Sequence, residues 1–157
     1  MSVLDVRKYP DKILCKRANE VPVVDAEVRR LLDDMAMTMY AVSGVGLAGP
    51  QVGIDMRLIV IDVGKGLLKL VNPKIIASEG ESVLEEGCLS IPDVTVRVKR
   101  AAKVRVKALN NEGKDELIEA EGLLAHAFQQ EIDHLDGKLI IDYLPFYKKI
   151  FIKKRLS

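Results

Sequence analysis

The chain has 157 residues, of which 48% are hydrophobic and 30% charged, which excludes a disordered protein and favours one domain over residues 1–157. Lysine and arginine number 24 against 23 acidic residues, so the net charge of +1 does not indicate nucleic-acid binding by the molecule as a whole. Apolar runs are too short for a membrane span or a signal peptide, and two cysteines make no disulfide framework, so we expect a cytoplasmic protein with no membrane partner.

The predicted elements start with a helix over residues 25–42. Asp25 is a suitable N-cap, and Gly44 is expected to stop the helix. Its apolar residues recur at helical spacing: Val28, Leu31, Leu32, Met35 and Met39. Two strands follow, over residues 57–63 and 67–76, with a glycine-rich turn between them.

The second half of the chain predicts further strands and a second long helix. Residues 94–99 place valines on one face and polar side chains on the other, and residues 103–108 repeat the pattern. A loop at residues 110–113 leads to another strand, and a helix over residues 122–135 is followed by Gly137, where a C-cap glycine belongs. Together these elements predict an α+β fold with mostly antiparallel strands.

Three short segments carry residues that suit chemistry, and one of them lies on the second helix. Residues 130–134 read Gln-Glu-Ile-Asp-His, the outline of H-E-x-x-H with glutamine at the first histidine. Residues four apart share a helix face, so Gln130 and His134 project together beside Glu131, as two ligands of one zinc ion would. An amphipathic helix with one polar side gives the same pattern, so both interpretations stay open for this segment alone.

The other two segments come earlier in the chain. Residues 85–90 read Glu-Glu-Gly-Cys-Leu-Ser, in which Cys88 is either a buried apolar thiol or, with a histidine from the helix, a ligand of zinc or ferrous iron. Residues 44–51 read GVGLAGPQ, which indicates a loop that another group approaches closely, or a structural turn. They do not form a phosphate-binding loop, because they follow a helix and lack its lysine.

Together and in this order, the three segments resemble the peptide deformylase family, whose motifs are G-x-G-x-A-A-P-Q, E-G-C-L-S and Q-H-E-x-D-H-L. This chain has GVGLAGPQ, EGCLS and QQEIDHL, with Gly49 in place of an alanine and Gln130 in place of a histidine. The resemblance covers nearly the whole chain. It implies an α+β fold in which antiparallel β-sheets pack around a central helix in the C-terminal half that carries the metal motif.

The resemblance implies a metal-dependent hydrolase that removes the formyl group from the N-terminal N-formylmethionine of nascent polypeptides. It implies one divalent ion, Fe²⁺ or Zn²⁺, with Cys88 and His134 as ligands and Gln130 at the third position. Glu131 matches the general base that activates water. The side-chain amide of Gln51 and the backbone N–H of Leu89 match the two donors that stabilise the oxyanion.

For the substrate, the resemblance implies backbone contacts from Val45, Gly46 and Gly87. The methionine pocket is expected to be apolar, and three residues on the second helix are expected to line it: Leu123, His126 and Ala127. His126 and His134 cannot both bind one ion from a straight helix, because eight residues span about 12 Å.

Gln130 is expected to weaken metal binding without abolishing it. Its amide oxygen lies as many bonds from Cα as the Nε2 of histidine does, but it is a harder and weaker donor for zinc or iron. Two alternatives stay open: a catalytically inactive relative that binds N-terminal peptides, and a deliberate introduction of Gln130. The basic segment at residues 145–157 is either a solvated surface or a contact with ribosomal RNA.

Overall fold

The computed structural model of the protein describes residues 2–156, so Met1 and Ser157, the ends of the predicted domain, lie outside the described residues. The strands are Gly46–Ala48 (β1), Leu58–Ile61 (β2), Leu68–Glu79 (β3), Ser82–Cys88 (β4), Ile91–Arg100 (β5), Lys103–Asn110 (β6) and Asp115–Glu121 (β7). The α-helices are Ala26–Ala41 (α1), Gly122–Leu135 (α2) and Phe146–Leu156 (α3), and short 3-10 helices occupy Lys12–Cys15, Gly49–Val52 and Ile140–Tyr143. That the whole chain forms one domain remains a prediction.

Helix α1 confirms the first predicted helix to within one residue at each end. The Asp25 carboxylate accepts a hydrogen bond from the backbone N–H of Val28 at 3.0 Å, which satisfies a donor that a helix start leaves unpaired. Four of the five predicted apolar positions are buried in one core cluster: Val28, Leu32, Met35 and Met39. The helix ends before Gly44, and Ser43 adopts a φ of 57° in the turn between them.

Five strands form one antiparallel sheet in the order β1-β2-β3-β6-β7. Of the two strands predicted around the glycine-rich turn, β2 is shorter than residues 57–63 and β3 continues beyond Ile76. Gly64 and Gly66 have φ values of 99° and 111°, a conformation that favours glycine at both positions. Strands β6 and β7 confirm the predicted strand at residues 103–108 and the one expected after the loop.

The second sheet consists of β4 and β5 alone. The alternation predicted for β5 is confirmed, with the three valines buried and the three polar side chains between them exposed. Strand β4 was not predicted because its sequence does not alternate, and its one fully buried residue is the charged Glu86. The hairpin places Cys88 at the end of β4, next to the turn that leads into β5.

Helix α2 has the predicted bounds and packs against both sheets. Phe128, Ile132 and Leu135 join a core cluster with residues of the larger sheet, while other side chains of the helix contact β4. Gly137 follows the helix with a φ of 77°, and a Cβ there would lie 2.8 Å from the backbone of Cys15, so the position requires glycine. The predicted α+β fold, with antiparallel sheets packed around this helix, is confirmed.

Helix α3 ends the described part of the chain and carries no fully buried residue. Four large apolar side chains on it are exposed: Phe146, Tyr147, Ile150 and Phe151. Within residues 2–156, no helix combines the length and apolar character that crossing a bilayer would require.

Candidate functional site

The end of β4 and the middle of α2 bring Cys88 and His134 together, although 46 positions separate them in the sequence. The Cys88 Sγ lies 3.4 Å from the His134 Nε2. They meet beside a groove of about 560 Å³ whose lining includes Cys88, Gln51 and Glu131. The proximity that the three sequence segments predicted is therefore present in the structure.

The Cys88 thiol is largely buried, and burial raises its pKa to about 11. Its sulfur accepts hydrogen bonds from the backbone N–H groups of Ser90 and Ile91, which lower the pKa in part. Without a cation the side chain is therefore a neutral thiol at pH 7. A bound cation would stabilise the thiolate and release the proton.

His134 is also buried, and burial lowers its pKa to about 4. The imidazole is neutral at pH 7, which is the form that binds a metal ion. Its Nδ1 is buried and has no hydrogen-bond partner within residues 2–156. Its Nε2 is directed at the sulfur of Cys88.

Glu131 lies in the interior beside the same groove. Burial is the main cause that raises the pKa of its carboxyl to about 8, although the positive charge of Arg100 opposes the shift. The Oε1 has no hydrogen-bond partner in the described part of the chain. A Cβ added at Gly46 would lie 2.6 Å from the Glu131 Oε2, so this carboxyl occupies space that only a glycine leaves free.

The side-chain amide of Gln51 is held at both ends. Its Oε1 accepts a hydrogen bond from the backbone N–H of Ala48 at 3.0 Å. Its Nε2 donates to the Ser90 Oγ at 3.4 Å and lies 3.6 Å from the Cys88 Sγ. The donor end of the amide is therefore oriented toward the groove, where a developing negative charge could accept its hydrogen bond.

Gln130 lies at the groove, one turn of α2 before His134. Its Nε2 donates a hydrogen bond to the backbone carbonyl of Gly87 at 2.9 Å. This bond ties α2 to β4 next to Cys88 and fixes the nitrogen end of the amide. The Oε1 accepts no hydrogen bond from residues 2–156, so its lone pairs are available to bind a metal ion.

The Cys88 and His134 pair fits a divalent ion. Ideal bond lengths of about 2.3 Å to sulfur and about 2.0 Å to nitrogen, at a tetrahedral angle, place the two ligand atoms about 3.5 Å apart. The observed separation is 3.4 Å. Within residues 2–156, no group of three histidine, cysteine and acidic residues could hold a metal ion, so a third protein ligand would be of another residue type, as Gln130 is predicted to be.

The structure brings most of the predicted site residues to one groove. Val45, Gly46, Gly87 and Leu89 line it together with Gln51, Cys88, Gln130 and Glu131. The three residues expected to wall a methionine pocket do not line it: Leu123, His126 and Ala127. Leu123 is exposed, whereas Ala127 lies in the core cluster, so their assignment to the pocket remains a prediction.

His126 has a different environment from the one that its helical position indicated. It is buried, and its Nδ1 lies 3.1 Å from the Glu86 Oε2 on β4. Its Nε2 has no hydrogen-bond partner among the described residues. His126 therefore contacts the buried Glu86 on β4 and does not line the groove.

The sequence did not reveal a buried polar network behind the groove. Arg100 on β5 donates to both carboxylate oxygens of Glu86, at 2.6 and 2.8 Å, and to the Asp133 carboxylate at 2.9 Å. Glu86 is two residues from Cys88, and Asp133 precedes His134, so this arginine joins the two elements that carry the thiol and the imidazole. The acids beside the motif residues were visible in the sequence, but nothing there paired them with Arg100.

The structure explains why this chain has Gly49 where the motif of the family has alanine. A Cβ at this position would lie 2.5 Å from the backbone carbonyl of Met56 and 2.9 Å from that of Ile54. The loop that follows Gln51 returns close to Gly49, so in this chain an alanine would require the backbone to shift.

Comparison with known proteins identifies the family. The family model for polypeptide deformylase matches residues 3–149. A peptide deformylase from Thermodesulfovibrio yellowstonii is 48% identical over 98% of this chain and 97% of its own, and one from Acetivibrio thermocellus is 54% identical over 90% of this chain and 84% of its own.

Solved structures agree with this assignment. The crystal structure of a peptide deformylase from Legionella pneumophila, 44% identical, matches 98% of this chain and 93% of its own with a TM-score of 0.92. The Ehrlichia chaffeensis peptide deformylase in complex with actinonin, 38% identical, matches 99% of this chain and 96% of its own with a TM-score of 0.95. With its three sequence motifs gathered at one groove, this chain belongs to the polypeptide deformylase family.

Proposed function

We propose that this protein is a peptide deformylase that hydrolyses the formamide bond of N-formylmethionyl peptides, the substrates presented by nascent chains. The observation that carries the proposal is the convergence of Cys88, Gln51 and Glu131 on one groove, with the His134 Nε2 3.4 Å from the Cys88 sulfur, in a member of this family. Formamide hydrolysis needs an activated water, a site for the oxyanion and a proton for the leaving amine. These four side chains supply groups suited to each requirement.

The cofactor that we assign is one divalent ion, Fe²⁺ or Zn²⁺, with Cys88, His134 and Gln130 as its protein ligands. The separation of the first two ligand atoms, 3.4 Å, supports this choice. When bound, such an ion supplies Lewis-acid chemistry and lowers the pKa of water from about 16 towards 7. Gln130 would contribute an uncharged oxygen, which is a weak donor for either metal.

Within the groove, Glu131 takes the proton of the attacking water and delivers it to the amine that leaves. Its buried position gives the carboxyl a raised pKa, which suits a group that must both accept and release a proton near neutral pH. The Gln51 Nε2 donates a hydrogen bond to the oxyanion, together with the backbone N–H of Leu89. Since Gln51 is held by Ala48, the amide does not need to reorganise during the reaction.

A second function is favoured by one observation, the hydrogen bond from Gln130 to Gly87. If this bond withholds Gln130 from the metal, the groove would bind N-terminal peptides without cleaving them. Measuring formate released from formyl-Met-Ala-Ser, together with bound metal, separates the two functions. We expect catalytic formate release by the metal-loaded protein and none by the Cys88→Ala variant; stoichiometric peptide binding with no release would favour the second function.

The site of action that we propose is the cytoplasm, at ribosomes that synthesise formylated chains. Helix α3 presents basic side chains to solvent, including Lys148, Lys154 and Arg155, beside exposed aromatic rings. Basic side chains bind phosphate backbones with a strong dependence on salt. Cosedimentation with ribosomes should therefore be present at low salt and decline steeply as salt rises; binding that does not change with salt would contradict this contact.

A further inference from the structure

A second groove adjoins the candidate site groove along β5. Asp93, Val94 and Thr95, near the start of β5, line both grooves. The second groove has a volume of about 670 Å³ and runs between this stretch of β5 and helix α3. A ligand long enough to pass residues 93–95 from the candidate site could therefore contact the second groove.

Helix α3 contributes an aromatic wall to the second groove. Tyr147 and Phe151 lie one turn apart on the helix and both line the groove. They are 69% and 67% exposed, although the rings are large enough to bury substantial apolar area. Contiguous exposed apolar surface is a feature of sites that bind another molecule.

The charge of the second groove is positive. Lys148 and Arg155 line it, and neither forms an ion pair within residues 2–156. Asp93 is the one acidic residue among the described residues of the lining. The groove therefore combines apolar surface with two unpaired cations, which complements a ligand with apolar and acidic side chains.

We propose that the second groove binds the downstream part of the substrate peptide, several residues after the formylated methionine, and prefers aromatic or aliphatic residues next to acidic ones. This inference rests on the proposed function. An extended chain advances about 3.3–3.6 Å per residue, so a peptide of several residues is long enough to extend beyond the candidate site groove and contact the second groove. Residues 93–95 belong to both grooves and therefore lie between the candidate site and the aromatic side chains of Tyr147 and Phe151.

The experiment compares formylated peptides that differ only beyond their third residue. One is a tripeptide, formyl-Met-Ala-Ser; two are nonapeptides with the same start and either an aromatic-acidic or a glycine-serine tail. Formate release gives kcat/KM for each peptide. Fluorescence anisotropy with the same nonapeptides lacking the formyl group gives binding without a need for catalysis.

Two double variants of α3 each reverse two charges. Lys148→Glu with Arg155→Glu alters the second groove, whereas Lys153→Glu with Lys154→Glu changes the net charge equally at residues that do not line it. We expect the aromatic-acidic tail to raise kcat/KM and affinity by roughly three- to tenfold over the glycine-serine tail, which corresponds to about 0.7–1.4 kcal/mol of binding free energy. The groove variant should lose this gain, the control variant should keep it, and both should cleave the tripeptide as the parent does.

The outcomes separate this inference from the function on which it rests. If the tripeptide is cleaved and the two tails behave alike in both assays, the second groove does not bind the substrate, although the protein is a deformylase. If no peptide is cleaved, the proposed function fails, and anisotropy still decides whether the groove prefers the aromatic-acidic tail. If the groove variant loses only cosedimentation with ribosomes and keeps the tail preference, its occupant is RNA and the inference is wrong.

Discussion

The Glu131 carboxyl lies against Gly46, and this close contact restricts where the carboxyl can be placed. A Cβ at position 46 would lie 2.6 Å from the Glu131 Oε2 and 3.0 Å from its Cδ, so the side chain would have to move. We predict that Gly46→Ala lowers kcat by roughly 100-fold, because a misplacement of about 1 Å costs that much in a positioned reaction. Formate release under saturating substrate measures the effect.

Gly44→Ala is the control for that substitution. Its added Cβ would lie 3.2 Å from the end of the Leu89 side chain, which can move, and the residue lines the same groove. We expect this variant to lose much less activity than Gly46→Ala. Equal losses would show that the loop as a whole, rather than the space around Glu131, limits the reaction.

At the scale of single residues, the sequence identified the groups that lie at the groove but not their partners. Cys88, Gln51 and Glu131 are found together because their motifs carry them. The hydrogen bond from Gln130 to Gly87 was not foreseen, because counting bonds to the amide oxygen says nothing about where the amide nitrogen is held. His126 lies on the same face of α2 as Gln130, yet its ring contacts the carboxylate of Glu86 on β4.

At the scale of elements, one arginine joins the strand of Cys88 to the helix of His134. Arg100 and Glu86 are both buried, so removal of the guanidinium leaves an uncompensated carboxylate in the interior. We predict that Arg100→Met lowers the free energy of unfolding by about 3–5 kcal/mol. Urea denaturation at pH 7 measures the change.

Arg105→Met provides the matched control for the same chemistry on an exposed pair. Arg105 and Glu119 face solvent on neighbouring strands of the larger sheet, and such pairs contribute about 0–1 kcal/mol. Combining Arg100→Met with Glu86→Gln should recover part of the lost stability, because the buried charge is removed with its partner. A loss in the single variant no larger than in the control would show that Arg100 does not hold the two elements together.

Regular periodicity decided which elements could be predicted. The helices α1 and α2 and the strand β5 were found because their apolar residues follow one period throughout. Strand β4 was not predicted because it buries the charged Glu86 and exposes the apolar Val83 and Leu84, the reverse of the usual pattern. Glu86 can be buried because it forms an ion pair with Arg100 on the other strand of the hairpin. A pattern confined to β4 cannot show this partner.

At the scale of the whole molecule, the buried carboxyl of Glu131 should make the metal-free protein sensitive to pH. Its pKa rises from 4.5 to about 8 on folding, so the folded state holds this proton more tightly than the unfolded state. Its contribution to stability is then complete below pH 4.5 and is lost as the pH rises towards 8. We predict that the metal-free protein loses on the order of 2–4 kcal/mol between pH 5 and pH 8, relative to Glu131→Gln.

Urea denaturation of both proteins in the presence of a chelator checks this prediction. His134 has the opposite sign, because its lowered pKa favours folding as the pH rises from about 4 to 6.5, but it is common to both proteins. The difference between the two pH profiles therefore reports Glu131. Parallel profiles from pH 5 to pH 8 would mean that the folded state does not raise the pKa of this carboxyl.

The fold class was predictable from the sequence, whereas the arrangement of the molecule was not. The order of predicted elements indicated α+β with antiparallel strands, as the structure shows. The smaller sheet contacts α2 through Cys88, Gly87 and Glu86. Each of these contacts joins residues that are 40 or more positions apart, so local sequence patterns do not reveal them. The groove along α3 depends in the same way on a distant strand.

We expect Cys88, His134 and Gln130 to form a deformylase metal site in which Gln130 is the weak ligand. The most direct test measures bound metal and formate release on the same preparations of the parent and of Gln130→His, with Gln130→Ala as the control. We predict that the histidine variant binds the metal roughly 10–100-fold more tightly and releases more formate than the parent, whereas the alanine variant binds less metal and releases less formate. A Gln130→His variant that binds no more metal and releases no more formate than the parent would contradict it.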